Sequence, residues 1–259
     1  MAITQTANPL AAYGVHRIGL SDLSAALRAG WQDFKAAPTQ ILFLCVLYPV
    51  LGLVFARAAS AANVWALVWP LLSGFVLVGP LAALGLYEIS RRREQGLAVS
   101  WQDCFRVLQS PALGSIIGMG LLMLAIYLAW LVTAQGVLLL TLGAHLPEGF
   151  GAFLATVFET ERGLMLLLIG NVAGFCFAVL VLAVGSFSLP MMLDRNASMG
   201  EAIAASWRAF NANRVVMLAW GLVVATGLFF GMLTLMVGLA VTLPLLGHAT
   251  WHLYRRVFG

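Results

Sequence analysis

Two histidines near the end of the sequence are the residues best placed to do chemistry. His248 and His252 are four residues apart, so a helix would present both on one face. Because Gly247 and Ala249 are small, that face would leave room for a metal ion, a haem or a chlorin bound by imidazole nitrogen. The ordinary alternative is two polar residues near the inner membrane interface that contact backbone or headgroups. We keep His248 and His252 as a candidate cofactor-binding pair.

The rest of the sequence limits what this pair could do. The residue after His248 is Ala249, whereas the H-E-x-x-H motif has glutamate there, which argues against a zinc protease. The other two histidines, His16 and His145, lie in the N-terminal tail and in a loop, so a haem–copper oxidase core is not supported. We find no phosphate-binding loop and no Ser–His–Asp set. Our main expectation is therefore no enzymatic activity, no catalytic residues, no metal site and no cofactor, and the pair His248 and His252 carries the alternative of a bound haem or pigment.

A second polar group lies around Glu88. Arg91 and Arg92 follow Glu88 at i+3 and i+4, which predicts an ion pair on the helix surface. Glu88 comes eight residues after Pro80, as His252 comes eight residues after Pro244. The alternative is therefore a pH-sensitive contact between Glu88 and His252 that closes the cytoplasmic side.

The elements that must position these residues are membrane helices. Apolar residues make up 62% of the 259 residues and charged residues only 9%, against about 25% in soluble proteins. Runs of about 20 apolar residues are long enough to cross a bilayer as helices. We predict an all-α bundle of six spans, with a tight turn near Gly231–Gly238. The spans are Gln40–Ala58, Val64–Ser90, Leu113–Leu138, Gly163–Leu193, Val215–Leu233 and Thr234–Tyr254.

Charge orients this bundle. Twelve of the fourteen Lys and Arg residues fall on one side of the six spans, which the positive-inside rule makes cytoplasmic. Both termini are then cytoplasmic, and the bacterial inner membrane is the expected location. The midplane of the spans holds no Asp, Glu, Lys or Arg, whereas ion-coupled carriers usually place ionisable groups there. The basic balance reflects topology, and nucleic acid is not an expected partner.

A three-part unit repeats along the chain. Each copy begins with a short amphipathic helix, continues with an outgoing span and returns through a span that contains a proline. We divide the chain into a tail, 1–20, and one membrane domain, 21–259, with repeats over about 21–93, 100–195 and 198–256. The three short helices are predicted at Ser21–Ala36, Ser100–Gln109 and Ser198–Ala212, and Ser100 and Ser198 each begin a capping box. A further interfacial helix is predicted in the outer loop, around Phe150–Phe158.

Each short helix carries one tryptophan and one phenylalanine on its apolar face. Such rings favour the headgroup level of a membrane, so the helices should lie on the cytoplasmic leaflet. The predicted interfacial anchors are Trp31, Phe34, Trp101, Phe105, Trp207 and Phe210.

Two segments resemble a known family. GPLAALGLYEISRRREQG (Gly79–Gly96), preceded by GWQDFKAAP (Gly30–Pro38), is similar to bacterial predicted integral membrane proteins of domain of unknown function twenty-one eighty-nine. We expect the resemblance to cover most of the chain. It implies a six-helix inner-membrane protein and no established activity.

Together these features favour a non-enzymatic accessory or scaffolding role in the membrane. The expected partners are membrane lipids and another membrane protein complex. Two alternatives remain open. The repeat and the three prolines favour a transporter of small molecules or lipids, and His248 with His252 favours a haem- or pigment-binding subunit.

Overall fold

The computed structural model describes residues 13–36, 57, 68, 70–72, 79–81, 83–144, 147, 149–234 and 236–259. Every regular element assigned within these ranges is helical, as the composition predicts. The α-helices are α1 (Leu20–Ala36), α2 (Leu84–Glu94), α3 (Leu113–Leu142), α4 (Phe150–Glu159), α5 (Glu161–Gly185), α6 (Ser188–Arg195), α7 (Met199–Ala212), α8 (Arg214–Leu233) and α9 (Leu239–Phe258), and a 3₁₀ helix covers Trp101–Gln109.

Three stretches of helix are long and apolar enough to cross a membrane. In the described part of the chain they are Leu113–Leu142, Glu161–Arg195 and Arg214–Leu233. They match the third, fourth and fifth predicted spans. The first predicted span, Gln40–Ala58, lies outside the described residues except for Arg57, and much of Val64–Ser90 also lies outside them.

The sixth predicted span forms a helix but is not among these three. Helix α9 begins at Leu239, after the predicted tight turn, and ends at Phe258. The helix carries two histidines, His248 and His252, and two arginines, Arg255 and Arg256, which lower its mean hydropathy. Fourteen of its twenty residues are buried, so α9 is the centre of the described bundle. Within the described residues, three of the six predicted spans are therefore candidate spans.

Helix α1 packs along α9, and the sequence allows the two backbones to approach closely. A Cβ atom added to Gly30 would lie only 2.6 Å from the backbone nitrogen of Ala249. Helix α2 packs against the same helix, where a Cβ atom on Gly247 would lie 2.5 Å from a methyl group of Leu86. Glycine on one partner thus brings α1 and α2 into contact with α9.

Polar contacts gather the two ends of the described chain at one place. The backbone N–H of His16 donates to the carbonyl of Val257 at 2.8 Å. The Ile18 N–H donates to the Asn213 side chain at 2.9 Å, and Arg195 donates to the Phe258 carbonyl at 2.6 Å. The chain before α1, the loops that follow α6 and α7, and the end of α9 therefore meet at the same end of the bundle.

Local signals explain where the helices begin and end. The capping boxes predicted at Ser100 with Asp103 and at Ser198 with Glu201 are both present. Helix α5 ends at Gly185, because Pro190 has no N–H for the preceding turn, and α6 begins at Ser188. Pro244, in contrast, lies inside α9. The helix predicted in the outer loop forms as α4.

Candidate functional site

A buried polar cluster joins α1, α2 and α9 around Asp33. The Asp33 Oδ2 atom accepts a hydrogen bond from the Ser90 hydroxyl at 2.5 Å and lies 2.8 Å from His252 Nε2. Its other oxygen pairs with Arg93. The hydroxyl of Ser90 also lies 2.8 Å from Nδ1 of His248. The cluster therefore holds both histidines of the candidate pair, but each meets a different partner.

The donors and acceptors of this cluster indicate where the proton of the Ser90 hydroxyl lies. Burial raises the pKa of the Asp33 carboxyl, but hydrogen bonds from His252 and Ser90 and the charge of His252 hold that pKa below its ordinary value. Asp33 is therefore a carboxylate, and Ser90 donates its only hydroxyl proton to it. The Ser90 oxygen is then free to accept from Nδ1–H of His248, and the second ring nitrogen of His248, Nε2, faces away from Ser90. That atom is buried and has no hydrogen-bond partner among the described residues.

This order of contacts differs from that of a nucleophilic triad. In a triad, histidine takes the serine proton and the carboxylate binds the other side of the histidine ring. Here the carboxylate of Asp33 accepts the hydrogen bond of the serine hydroxyl directly, and Ser90 is fully buried. The arrangement ties three helices together and does not activate a nucleophile.

Glu88 has a different partner from the one suggested by the repeat. Arg91 donates from Nε and Nη2 to the two Glu88 oxygens, at 2.8 and 2.9 Å. Arg92 pairs with Asp103 instead of Glu88, and its Nε atom lies 3.5 Å from Asp103 Oδ1. The ion pair predicted between Glu88 and Arg91 is thus present, whereas His252 contacts Asp33 and not Glu88, the partner given as the alternative.

The space expected beside the two histidines is filled by neighbouring helices. Leu86 and Ala83 of α2 pack on Gly247, and Gly30 of α1 packs on Ala249. The small residues that would have made room for a large ring instead allow close helix packing. Within the described ranges, no group of three His, Cys, Asp or Glu residues is arranged to hold a metal ion.

A largely apolar cavity of about 420 Å³ lies between α5, α8 and α9, and residues just before and at the start of α2 also line it. Leu182, Trp220 and Leu246 contribute to its walls, and Ser186 and Thr250 are among its few polar residues. Phe175 and Leu222 also line the cavity and are 63% and 68% exposed, so the cavity opens on the side of the bundle. His248 lines neither this cavity nor the polar one described below.

The predicted anchor residues form ring pairs on the three short helices. Ring centroids are 5.1 Å apart in the α1 pair, 6.2 Å in the 3₁₀ pair and 6.5 Å in the α7 pair. The tryptophans Trp31, Trp101 and Trp207 are each about half exposed, and so is Phe105, but Phe34 and Phe210 are buried against the bundle. Two of the six predicted anchors therefore pack inward.

Sequence reasoning missed Asp33 and Ser90, which organise the polar cluster. Asp33 lies on a short helix whose polar residues were expected to face water, and Ser90 lies at the end of a predicted span. A detectable signal was Gly30, three residues before Asp33, because a glycine within a helix is typical of close packing.

The comparison with family models gives one match. Residues 67–194 match the family described as predicted integral membrane protein (DUF2189). The match contains the segment Gly79–Gly96 that carried the resemblance, but it does not reach Gly30–Pro38, so it covers about half of the chain. No curated protein and no solved structure matches the chain.

Proposed function

Because residues 67–194 match the DUF2189 family of predicted integral membrane proteins, we propose that this chain is a non-enzymatic membrane protein that binds lipid through its apolar cavity. In this role it would serve as an accessory or scaffolding protein, in contact with another membrane complex. The observation that carries the proposal is the cavity between α5, α8 and α9.

The size and lining of the cavity suit an acyl chain. Small-molecule sites usually occupy about 300–1,000 Å³ and have mostly apolar walls, and this cavity has about 420 Å³. Each methylene moved from water to such walls contributes about 0.8 kcal/mol, but a lipid already lies in an apolar solvent. Shape and van der Waals contact would therefore select the occupant, as they do between membrane helices.

The polar cluster supports the non-enzymatic part of the proposal. Asp33, Ser90 and His252 satisfy one another, and Ser90 has no access to a substrate. The cluster connects α1 to α9, so its expected role is to hold the helix that precedes the first predicted span against the centre of the bundle.

The proposed topology has six spans in the bacterial inner membrane, with both termini cytoplasmic. The contact between His16 and Val257 supports an even number of crossings between these residues, because both lie at one end of the bundle. Three candidate spans are an odd number, so at least one further crossing is needed. Cysteine labelling at Arg17 and Gly259 in intact and permeabilised cells tests this topology.

Filling the cavity tests lipid binding directly. Ala178 and Ala225 line the cavity, so Ala178→Phe and Ala225→Phe should displace its occupant. Ala129→Phe is the matched control, since Ala129 is exposed on α3 and does not line the cavity. The measurement is the amount of lipid that co-purifies in mild detergent, by native mass spectrometry.

We expect the two cavity variants to lose most of a stoichiometric lipid that the wild type and Ala129→Phe retain. Equal retention in all four proteins would overturn the proposal. A melting temperature close to that of the wild type would show that the substitutions do not disturb the bundle.

Transport of lipid or of a small apolar molecule is the second candidate function, since the same cavity opens on the side of the bundle. Reconstituted vesicles separate the two functions: a carrier accelerates exchange of a labelled lipid between leaflets, whereas a binding protein does not. The haem alternative is less favoured, because α1 and α2 fill the space beside His248 and His252. A Soret band in the purified protein would revive it.

A further inference from the structure

A second cavity, of about 250 Å³, lies where α2, the 3₁₀ helix, the link that follows it and the end of α6 meet. Its walls are mainly polar and include Glu88, Arg91, Arg92, Arg106, Gln109 and Asp194. Three guanidinium groups therefore converge on one small space. This cavity is separate from the apolar cavity between α5, α8 and α9, and the two have no lining residue in common.

The sequence positions two of these arginines through Asp103. The capping box at Ser100 fixes the Asp103 side chain at the start of the 3₁₀ helix. Asp103 Oδ1 then accepts from Arg106 Nε at 2.6 Å and lies 3.5 Å from Arg92 Nε. Gly85 allows the 3₁₀ helix to approach α2 this closely, since a Cβ atom there would lie 2.7 Å from Cys104 Cβ.

The carboxylates of the cavity already have their own partners. Both oxygens of Glu88 accept hydrogen bonds from Arg91. Asp194 accepts from the Tyr254 hydroxyl at 2.9 Å and lies 3.4 Å from Arg255. Arg92, in contrast, is incompletely satisfied: its Nε atom is buried and makes no hydrogen bond to any described residue.

We propose that this cavity binds a phosphate-bearing anion between Arg91, Arg92 and Arg106. Guanidinium groups present paired N–H donors that match the oxygens of phosphate, and such charge-assisted hydrogen bonds are among the strongest in proteins. The occupant would supply acceptors for Arg92, which Asp103 satisfies only in part.

A lipid headgroup is the favoured source of the phosphate. The 3₁₀ helix beside the cavity exposes Trp101, Phe105 and Leu108, each at 49% or more. In an integral membrane protein these side chains belong at the boundary between headgroups and acyl chains. The inference deepens the proposed lipid-binding function, and rests on it, by naming an anionic phospholipid as ligand. Free inorganic phosphate offers the same chemistry.

The double variant Arg92→Gln/Arg106→Gln tests this site in the full-length protein. Its control, Arg28→Gln/Arg214→Gln, removes the same charge from two exposed arginines outside the cavity. Each protein is placed in nanodiscs of mixed phosphatidylglycerol and phosphatidylcholine, and native mass spectrometry measures which lipid remains bound. We expect the wild type and the control to retain phosphatidylglycerol in preference to phosphatidylcholine. In the double variant, the ratio of bound phosphatidylglycerol to bound phosphatidylcholine should fall about tenfold.

A milder variant keeps the test valid if the loss of both arginines unfolds the protein. Gln109→Glu adds a negative charge at the cavity and leaves Asp103 with its partners. Its control is Gln32→Glu, which makes the same change at an exposed residue of α1 outside the cavity. We expect Gln109→Glu alone to reduce phosphatidylglycerol retention. The headgroup preference should survive in Ala178→Phe, so failure of the apolar site and failure of this site are distinguishable.

Inorganic phosphate separates the two sources. If phosphate at constant ionic strength raises the melting temperature of the wild type but not of the double variant, and no lipid preference is seen, the site binds free phosphate. Equal behaviour of the double variant and its control in both measurements, or no effect of Gln109→Glu beyond that of Gln32→Glu, would overturn the proposal.

Discussion

Helices α5 and α9 are both mostly apolar, but the bundle uses them in opposite ways. Only four of the 25 residues of α5 are buried, whereas 14 of the 20 residues of α9 are buried. Helix α5 belongs to the candidate span of highest mean hydropathy, and α9 is not among the candidate spans at all. The central helix is therefore the more polar one.

The difference shows what hydropathy measures in a membrane protein. The lipid-facing surface of a helix must be mostly apolar, because lipid offers no hydrogen-bond partners. A helix at the centre of a bundle can carry polar groups wherever its neighbours supply partners. Helix α9 does so, since Asp33, Ser90, Glu94 and Asp194 meet its polar side chains.

The largest expected effect comes from removing the carboxylate that α1 supplies to α9. Asp33→Ala should lower the free energy of unfolding by about 3 kcal/mol, the lower part of the range for a broken buried ion pair, because Arg93 and His252 keep some solvent access. Asp22→Ala, on the same helix, removes a more exposed pair with Arg256 and should cost no more than about 1 kcal/mol. Denaturation in mixed micelles measures both. Equal losses would mean that the Asp33 cluster is not the anchor of α1.

Two glycine substitutions test whether α9 is more tightly packed by its neighbours than α5. An added methyl group on Gly30 would meet the Ala249 backbone, so Gly30→Ala should destabilise by about 1–3 kcal/mol. Gly170 on α5 has open space where a Cβ atom would lie, so Gly170→Ala should be neutral or should stabilise the helix by up to about 1 kcal/mol. The melting temperatures of the two variants report the difference. A loss in Gly170→Ala as large as that in Gly30→Ala would place a protein neighbour on the exposed face of α5.

The same contrast explains how far the sequence could be interpreted. Long apolar runs predicted the three candidate spans to within about four residues at each end, because composition alone decides whether a helix tolerates lipid, but they did not predict the break between α5 and α6. Capping residues located the 3₁₀ helix and α7 for an equally local reason. The pairing of Asp33 with His252 joins residues 219 positions apart, and its selection over Glu88 depends on how α1 packs. No local pattern carries that information.

The smallest expected effect concerns single polar side chains that bond to their own helix. Asn171 on α5 donates to the Leu167 carbonyl at 2.7 Å and is exposed, whereas Thr250 on α9 donates to the Leu246 carbonyl at 2.7 Å and is buried. Asn171→Leu should change stability by no more than about 0.5 kcal/mol, because the carbonyl keeps its helical hydrogen bond and the side chain faces lipid. Thr250→Val should cost about 0.5–1.5 kcal/mol, since it removes the hydrogen bond of a buried hydroxyl group.

Unfolding experiments in mixed micelles and in nanodiscs measure the change in the free energy of unfolding for Asn171→Leu and for Thr250→Val. If Asn171→Leu costs more than Thr250→Val, the amide of Asn171 must bond to something other than its own helix. The exposed face of α5 would then be the surface by which this protein contacts another copy or a partner complex. The apparent exposure of α5 to lipid would be a property of the isolated chain, and the accessory role proposed above would gain a specific docking face.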